Sequence, residues 1–452
     1  MKYIKKFKTH AEYEAYKNGQ DYLTPNVSWC VDLDEVHFNK YVRDYSKEYF
    51  TIEALAAGDV YFKYQEWSPI ETQRYMEYSK DGGETWVRTT NVDNEEVVMT
   101  IPLTAGETAL VRGDNDTLAS YNESEDTYYN PFFYSDMEFS VYGNIMSLIH
   151  GDDFTSETTV TDYMFHSLFF DMYGVDIGTP LECLIINAKN LILPVTTLAE
   201  SCYSFMFEGC TSLTTAPKLL PATTLAIGCY GNMFDGCTSL TTAPELPATT
   251  LASDCYNSMF AGCTSLTTAP ELPATSLASS CYSSMFQGCT SLTTAPELPA
   301  TTLANNCYSN MFYNCTSLTA APELPATSLA SSCYGGMFTG CTSLTTAPEL
   351  PATTLANSCY YYMFTGCTSL TTAPELPATT LANSCYGNMF RDCTNLNYIK
   401  AMFNTTPSTS FTYQWVYGVS LTGTFVKNSA AEWNVTGNNG IPTGWTVQTA
   451  TN

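Results

Sequence analysis

The sequence predicts an α/β solenoid of short strands and short helices, wound as a right-handed coil, between an all-β sandwich-like head and a small β-rich cap. Three observations predict this architecture. Cys-Tyr pairs recur every 26 residues from Cys202 to Cys385, with one spacing of 27 where Leu220 is inserted. A second cysteine follows each pair by eight residues. Residues 46–145 instead carry short alternating apolar runs, which are typical of strands.

One repeat, from residue 307 to residue 332, illustrates the local prediction. Apolar residues at a spacing of four predict a helical stripe of about two turns, formed by Cys307, Met311 and Cys315. The next apolar residues alternate as they do in a strand: Leu318, Ala320, Pro322 and Leu324. Because proline cannot donate to a strand ladder, the repeated prolines predict a strand of only about three residues.

A unit of this size cannot bury its own apolar face, so the eight units are expected to stack into one continuous core. Stacked strands lie ~4.8 Å apart, whereas packed helices need ~8–10 Å. The helical side is therefore expected to be wider, and the array should curve with its strands on the inner face.

Length and composition divide the chain further. A chain of 452 residues is too long for one compact core. We predict an attachment segment over 1–45, a β-sandwich head over 46–145, a cap before the repeats over 146–200, the repeats over 201–403, and a β-rich C-terminal cap over 404–452. The strands predicted in the head are Tyr49–Leu55, Asp59–Tyr64, Glu96–Ile101 and Met137–Tyr142.

The repeat resembles the leucine-rich repeats of the BspA-like bacterial surface-protein family. The resemblance depends on the Phe-x-x-Cys-Thr-x-Leu stretch, as in Phe312–Leu318, with a proline-rich exit and a Leu-Ala-x-x-Cys-Tyr return. It covers about 190–400, although this repeat is longer and has Met-Phe where Ala-Phe is usual. The resemblance implies a leucine-rich-repeat solenoid and a role as a surface adhesin.

The N-terminal region carries a second resemblance. Tyr22–Phe38 is similar to a short segment found on proteins of gut Bacteroidales and their phages, which implies an attachment or trimming element. A β-hairpin that caps the next domain is the alternative. The stretch Met1–Gln20 has no apolar core, so no classical signal peptide is predicted. Together these features favour a phage virion fibre or decoration protein, located in the virion after assembly in the host cytoplasm. The alternative is a BspA-like adhesin on the bacterial cell surface, or an interaction scaffold.

The regular cysteines are interpreted as a structural ladder of small, buried, reduced thiols. Disulfides and a metal site are the alternatives. Eight residues of helix separate the two cysteines of a unit by ~12 Å, whereas a disulfide needs Cα atoms within ~7 Å. No Cys-x-x-Cys motif or nearby histidine suggests a metal site. The ladder comprises Cys202, Cys210, Cys229, Cys237, Cys255, Cys263, Cys281, Cys289, Cys307, Cys315, Cys333, Cys341, Cys359, Cys367, Cys385 and Cys393.

Variation between repeats is concentrated at the two residues after Cys-Tyr and the one after Met-Phe. On the predicted helix these positions face away from the buried stripe. They are interpreted either as a solvated face that varies neutrally or as a recognition surface whose aromatic members stack on sugars or protein side chains. The candidate binding residues are Phe205, Glu208, Asn257, Ser258, Asn310, Tyr313, Tyr361, Tyr362, Asn388 and Arg391.

Charge narrows the class of partner. The formal net charge is −27, with 14 basic and 34 acidic residues before residue 201 and four basic and eleven acidic after it. Such a chain lacks the basic stripe that nucleic acid requires, and no stretch reaches the ~20 apolar residues of a membrane span. The expected partner is a protein or glycan receptor on a cell surface, with other virion proteins as further partners of the N-terminal segment. A homo-oligomer is compatible with the sequence.

Catalytic motifs are missing from the sequence, which has no Gly-x-Ser-x-Gly, no His-Glu-x-x-His and no phosphate-binding glycine loop. We therefore expect no enzyme, cofactor or metal; a glycan-active enzyme is the remaining alternative. Ser79–Trp86 matches an Asp-box motif once, and we interpret it as a hairpin turn in which Asp81 bonds the backbone. The acidic run 114–126 is interpreted as a solvated loop.

Overall fold

A computed structural model describes residues 43–63, 75–88, 98–115, 117–122, 127–129, 131–172 and 181–450. Nearly all of the predicted attachment segment, 1–45, lies outside this range, as do residues 116 and 123–126 of the acidic run 114–126. The sequence predictions for those residues are therefore not tested by the structure.

The head consists of short strands in two main sheets. Their bounds are β1 Phe50–Ala54, β2 Gly58–Lys63, β3 Tyr75–Ser79, β4 Val87–Arg88, β5 Val98–Leu103, β6 Thr108–Asp114, β7 Ser120–Asn122, β8 Thr127–Tyr129, β9 Phe132–Ser135, β10 Phe139–Asn144 and β11 Ile185–Ile192. One sheet has the order β11-β10-β1-β6-β3-β4 and the other β5-β2-β9, while β7 pairs with β8. The four predicted strands are confirmed as β1, β2, β5 and β10, with ends that differ by one or two residues.

Side-chain alternation explains how the two main sheets pack. Phe50, Ile52 and Ala54 on β1 share one face, as the period of two in a strand requires, and are fully buried; Thr51 on the opposite face is buried as well. The Phe50 ring stacks on Phe133 of β9 in the other sheet, with ring centroids 5.5 Å apart. Phe133 also contacts Phe62 of β2 at 4.6 Å. The Phe50–Phe133 contact therefore joins the two sheets, whereas the Phe62–Phe133 contact lies within one of them.

The Asp-box segment forms the turn between β3 and β4, as interpreted from the sequence. The Thr85 backbone N–H donates to Asp81 Oδ1 at 2.9 Å, and the Ser79 hydroxyl donates to the same oxygen at 2.7 Å. Trp86 packs edge-on against Tyr49, with ring centroids 5.4 Å apart. The hairpin interpretation is therefore confirmed.

Strand β11 connects the head to the repeats. It pairs in parallel with β10 and belongs to the large head sheet, although it lies within the predicted cap 146–200. Asn187 of β11 then bridges in parallel to Thr215 of the first repeat. Between β10 and β11 lie the helix α1, Ser147–His150, and a 3₁₀ helix, Gly151–Ser156; another 3₁₀ helix, Tyr45–Lys47, precedes β1. None of the helices in the described residues is long and apolar enough to span a bilayer.

The predicted helix of each repeat is wrong. Residues 201–403 contain no helix, and every fourth residue of the Cys-Tyr-to-Cys segment has a positive φ, between +50° and +74°. In the first repeat these residues are Ser201, Phe205 and Gly209. A left-handed residue interrupts a right-handed helix, because L-residues adopt that conformation singly and not in runs. The segment is therefore a series of four-residue turns.

This backbone divides its hydrogen bonds between local turns and the next repeat. The Glu208 N–H donates to the Phe205 carbonyl three residues earlier, at 3.1 Å. The intervening amides donate across the stack instead: Phe205 to Gly231 at 3.0 Å and Phe207 to Met233 at 2.9 Å. A helix would have used all of these groups internally. The turns thus bond each repeat directly to its successor.

The predicted strand of the repeat is shorter than expected. In place of about three paired residues, the structure has single-residue parallel bridges, such as Thr294 to Ala320 and Ala320 to Thr346. The Ala-Pro pair directly follows each of these bridged residues, and a proline lacks the N–H that would extend the ladder. The prolines therefore restrict pairing more strongly than the sequence analysis predicted.

Two columns of aromatic rings run through the repeats. Eight buried tyrosines, from Tyr203 to Tyr386, stack with neighbouring centroids 5.8–6.0 Å apart. Eight buried phenylalanines, from Phe207 to Phe390, stack at 5.3–5.8 Å. The prediction of a wider helical side is therefore wrong, because the repeats contain no helices that would need a spacing of ~8–10 Å. Consecutive repeats instead share one core, which is continuous with that of the head.

Both ends of the stack are covered by aromatic rings. On the head side, Phe165 stacks on Tyr203 at 5.6 Å and Phe169 on Phe207 at 4.9 Å. At the other end the fully buried Trp415 lies 6.2 Å from Tyr386. This end also contains a parallel sheet, with strands β12 Tyr398–Ala401, β13 Thr424–Lys427 and β14 Thr446–Thr449, and the short helix α2, Thr409–Thr412.

Candidate functional site

All sixteen repeat cysteines are buried and have free thiols. The second cysteine of a repeat donates its S–H to a phenylalanine carbonyl of the preceding repeat, as from Cys315 to Phe286 at 3.0 Å. That carbonyl also accepts the Cys289 N–H at 3.1 Å. Burial raises the pKa of Cys315 to about 12, so the thiol remains a protonated donor at neutral pH. The thiol of the second cysteine therefore links each repeat to the preceding one by a hydrogen bond.

The variable positions form three adjacent columns along the outside of the turns. One column holds the left-handed residues, which include Phe205, Ser258, Asn310, Tyr362 and Asn388. The residue before each of them forms the second column, with Asn257 and Tyr361, and the third contains Glu208, Tyr313 and Arg391. Nine of these ten candidates are partly exposed. Asn388 is instead fully buried, and neither atom of its amide group has a hydrogen-bond partner of normal geometry.

Five of the ten candidates line one groove of about 600 Å³. These are Asn310, Tyr313, Tyr361, Tyr362 and Arg391. The groove extends over four repeats, and its other lining residues are small or polar: Asn306, Ser309, Ser332, Gly335, Gly336, Thr339 and Thr365. The structure thus brings half of the predicted surface residues to a single concave site.

A pair of glycines creates the groove. Gly335 and Gly336 occupy the positions that hold Ser309 and Asn310 in the preceding repeat, and tyrosines in the following one. Gly336 has φ +64°, and a Cβ there would lie only 2.2 Å from Asn310 Oδ1. The floor between the two walls therefore consists of the Gly335 backbone and of the Asn310 amide, which lies against Gly336. Successive buried tyrosine rings in these repeats are 5.8 and 5.9 Å apart, so the repeats that carry the two walls are about 12 Å apart along the stack.

Aromatic and hydroxyl groups fix the far wall. Tyr361 and Tyr362 contact each other edge-on, with centroids 4.4 Å apart and an interplanar angle of 80°. The Thr339 hydroxyl donates to the Tyr362 carbonyl at 2.8 Å. Partial burial, and next the hydrogen bond with Tyr362, raise the pKa of Tyr361 above its usual value. Its hydroxyl is therefore neutral at physiological pH.

Arg391 provides the one charged side chain among the residues that line the groove. It donates to Gln414 Oε1 at 2.8 Å and pairs with Asp392 at 3.3 Å. Its guanidinium carbon lies 5.2 Å from the centre of the Tyr417 ring. These partners hold the arginine at the end of the groove and partly neutralise its charge. The site is therefore largely uncharged.

The other candidates lie elsewhere. Phe205 packs against His166 beside the head, with ring centroids 5.1 Å apart. Asn257 and Ser258 bond to each other in the third repeat, at 2.9 Å. The sequence analysis did not select Gly335 or Gly336, although a Gly-Gly pair occurs at these two positions only in that repeat.

Glu208 has an unusual environment near the head. One oxygen of its carboxylate is buried without a hydrogen-bond partner. Burial, and then the charge of Asp235 in the next repeat, raise the pKa of Glu208 to about 8. Burial also raises the pKa of Asp235 to about 6. Folding therefore favours the protonated form of both groups, and their ionisation opposes it.

We expect Glu208→Gln to increase the free energy of unfolding by about 2 kcal/mol at pH 8, because one pKa unit corresponds to ~1.4 kcal/mol and partial exposure reduces the full effect. The folded-state pKa is raised, so the parent loses stability as the pH rises from about 4.5 to about 8. The gain should disappear near pH 4.5. Urea unfolding at pH 4.5, 6.5 and 8 measures it. Glu297→Gln, at an exposed position, is the control for net charge; an equal gain in both variants contradicts the prediction.

Comparison with known proteins agrees with the repeat structure. The model of the BspA type leucine rich repeat region matches six copies over residues 200–345 and 305–430, just over half of the chain. No curated protein and no solved structure gives a match. With its 26-residue period, its stacked repeats and this match, the chain belongs to the BspA-type leucine-rich-repeat family.

Proposed function

We propose that the chain is a non-enzymatic adhesion and recognition protein, and that the groove between Tyr313 and Tyr361 is its receptor-binding site. The observation that carries the proposal is the interruption of an otherwise regular array by a glycine floor between tyrosine walls. Membership of the BspA-type family supports a surface role.

The physical character of the groove supports binding. Tyrosine and arginine are enriched among residues that dominate binding energy, and tyrosine buries a large area at a low entropic cost. A volume of about 600 Å³ lies within the usual range of ligand sites. The lining residues include no histidine, cysteine or carboxylate that would act as a nucleophile or a general base. The groove is therefore suited to binding without chemical conversion.

The proposed setting is a phage virion, with the protein serving as a fibre or decoration protein that binds a bacterial surface. The support for this setting is the sequence resemblance of Tyr22–Phe38, and the segment 1–45 would attach the chain to other virion proteins. A bacterial surface adhesin or interaction scaffold is the second candidate, which the family membership favours. Mass spectrometry of purified particles distinguishes them, since only a virion protein co-purifies with particles.

Tyr361→Ala is expected to weaken binding to intact cells by about tenfold or more, because it removes one aromatic wall of the groove. Tyr413→Ala is the matched control: Tyr413 lies in the same column two repeats further on, is 48% exposed and does not line the groove. Flow cytometry of labelled protein on a panel of gut Bacteroidales strains measures binding, and circular dichroism verifies the fold. Equal binding by both variants would refute the assignment of the groove.

A further inference from the structure

We propose that the groove binds a neutral oligosaccharide, as a segment of about disaccharide length lying across Gly335 and Gly336. This inference rests on the proposed function and specifies the class of its ligand. The argument depends on the walls, the polar groups, the backbone and the charge of the groove.

The walls and the floor fit a pyranose ring. The C–H face of a sugar is apolar and packs on the electron-rich face of a tyrosine ring. Tyr313 and the pair Tyr361 and Tyr362 supply rings from two repeats that lie about 12 Å apart along the stack, on either side of the glycine pair. A sugar ring can therefore approach the backbone at Gly335 and the Asn310 amide beside Gly336, while its ends contact aromatic rings.

The polar groups of the groove match sugar hydroxyls, which both donate and accept. Asn306 and Asn310 each carry two amide donors and one acceptor oxygen. The hydroxyls of Ser309, Thr339 and Thr365 already donate to backbone carbonyls, at 3.2, 2.8 and 2.6 Å. Their oxygens thus present lone pairs to a ligand. The lining offers donors and acceptors side by side without a full charge at the floor.

The backbone of the floor argues against a peptide. A peptide that adds to a sheet edge needs unpaired N–H and C=O groups along that edge. Here the Gly335 N–H donates to the Ser332 carbonyl at 3.0 Å, and the Gly336 N–H donates to the Tyr361 carbonyl at 2.7 Å. The turn bonds and the bonds between repeats use these donors, so side chains must carry recognition.

Charge favours a neutral ligand over an anionic one. The formal charge of the chain is −27, which repels polyanions at long range. Arg391, the one cation of the lining, is already engaged by Asp392 and Gln414. No carboxylate lines the groove either, so a cationic ligand has no counter-charge there. A neutral saccharide meets none of these penalties.

Filling the floor tests the proposal. Gly335→Tyr places in this repeat the residue found one coil further on at Tyr361, and the nearest atom to its Cβ, the Ser332 carbonyl oxygen, lies at 3.3 Å. Gly231→Tyr is the matched control, since Gly231 is in the same column far from the groove and its Cβ also meets its nearest atom at 3.3 Å. Titration calorimetry of the full chain would use neutral gluco-, galacto-, manno- and xylo-oligosaccharides, with sulfated and uronic-acid oligosaccharides as anionic probes.

We expect at least one neutral oligosaccharide to bind the parent protein. Its affinity should be about tenfold or more lower for Gly335→Tyr and Tyr361→Ala, and unchanged for Gly231→Tyr. Binding of anionic probes alone, binding of none, or binding that survives Gly335→Tyr overturns the inference. Cell binding separates it from the proposed function. Suppose that Gly335→Tyr abolishes cell binding, and that treating the cells with protease removes binding of the parent whereas treating them with periodate does not. The groove is then the receptor site, but its ligand is a protein and not a saccharide. If Gly335→Tyr binds cells normally, the groove is not the receptor site and both proposals fail.

Discussion

Replacing Tyr308 with alanine is expected to lower the free energy of unfolding by about 3–5 kcal/mol, the usual cost of deleting a large buried aromatic ring. Tyr308 is 1% exposed, and its ring stacks on Tyr282 and Tyr334 at 5.8 Å on each side. Removal of the ring therefore leaves a cavity and loses contacts with both neighbouring repeats. The rigid bonds between repeats prevent the gap from closing fully.

Two further variants make this result specific. Tyr308→Phe keeps the ring and is expected to cost about 1 kcal/mol or less, because only the hydroxyl is removed. Tyr313→Ala, at a partly exposed position five residues along, should cost about 1 kcal/mol at most. Urea denaturation followed by circular dichroism measures all three. A cost for Tyr308→Ala as small as that for Tyr313→Ala would show that the tyrosine column does not hold the repeats together.

Gly143→Ala is expected to destabilise the head by more than about 3 kcal/mol, or to prevent its folding. Gly143 lies on β10 with φ +88°, and a Cβ there would be 1.9 Å from the backbone oxygen of Tyr49. The obstacle is backbone, which cannot rotate away as a side chain can. The strand β10 holds β1 on one side and β11 on the other, so its displacement disturbs the link to the repeats.

Gly106→Ala provides the comparison for Gly143→Ala. Gly106 has a similar φ of +79°, but nothing lies within 4 Å of a Cβ built there. Its substitution should cost only the left-handed backbone preference, ~1–2 kcal/mol. Soluble yield and urea midpoints at matched concentration measure the difference. Comparable losses in the two variants would mean that backbone strain, and not the contact with Tyr49, explains the effect at Gly143.

The sequence predicted the period and the buried columns of the repeat but assigned the wrong backbone. A spacing of four, as in Cys307, Met311 and Cys315, fits a helix and equally fits consecutive four-residue turns. The distinguishing signal was the frequency of Ser, Asn, Asp and Gly at every fourth position, as at Asn306, Asn310 and Asn314. These small or polar residues adopt positive φ more readily than most, and a helix has no use for them at such regular intervals.

The candidate site was predictable in its side chains but not in its shape. Variation between repeats identified Tyr313, Tyr361 and Tyr362, because an aromatic residue at a variable surface position is conspicuous. The floor lies at Gly335 and Gly336, which have no side chains. A sequence analysis that looks for functional groups therefore does not select them. The burial of Asn388 was also missed, since its exposure was inferred from a helix that the repeat does not form.

The head shows a different limit of prediction. The apolar strands β1, β2, β5 and β10 alternate clearly and were found. Strand β11 was assigned to the predicted cap over 146–200 and not to the head, because its partner β10 lies about forty residues earlier and parallel pairing at that distance leaves no local pattern. Long-range pairing depends on the packing of the whole head, which no single window of sequence contains.

The uniform joints between repeats have a consequence for the reach of the protein. Each repeat makes the same carbonyl hydrogen bonds and the same ring contacts with both of its neighbours. Removal of one internal unit, such as 255–280, therefore joins two surfaces that already fit. Gain or loss of units between the head and the glycine pair would move the groove outward or inward by about one ring spacing each time. The number of repeats thus sets the distance from the head to the groove. It can change by recombination without altering the binding surface.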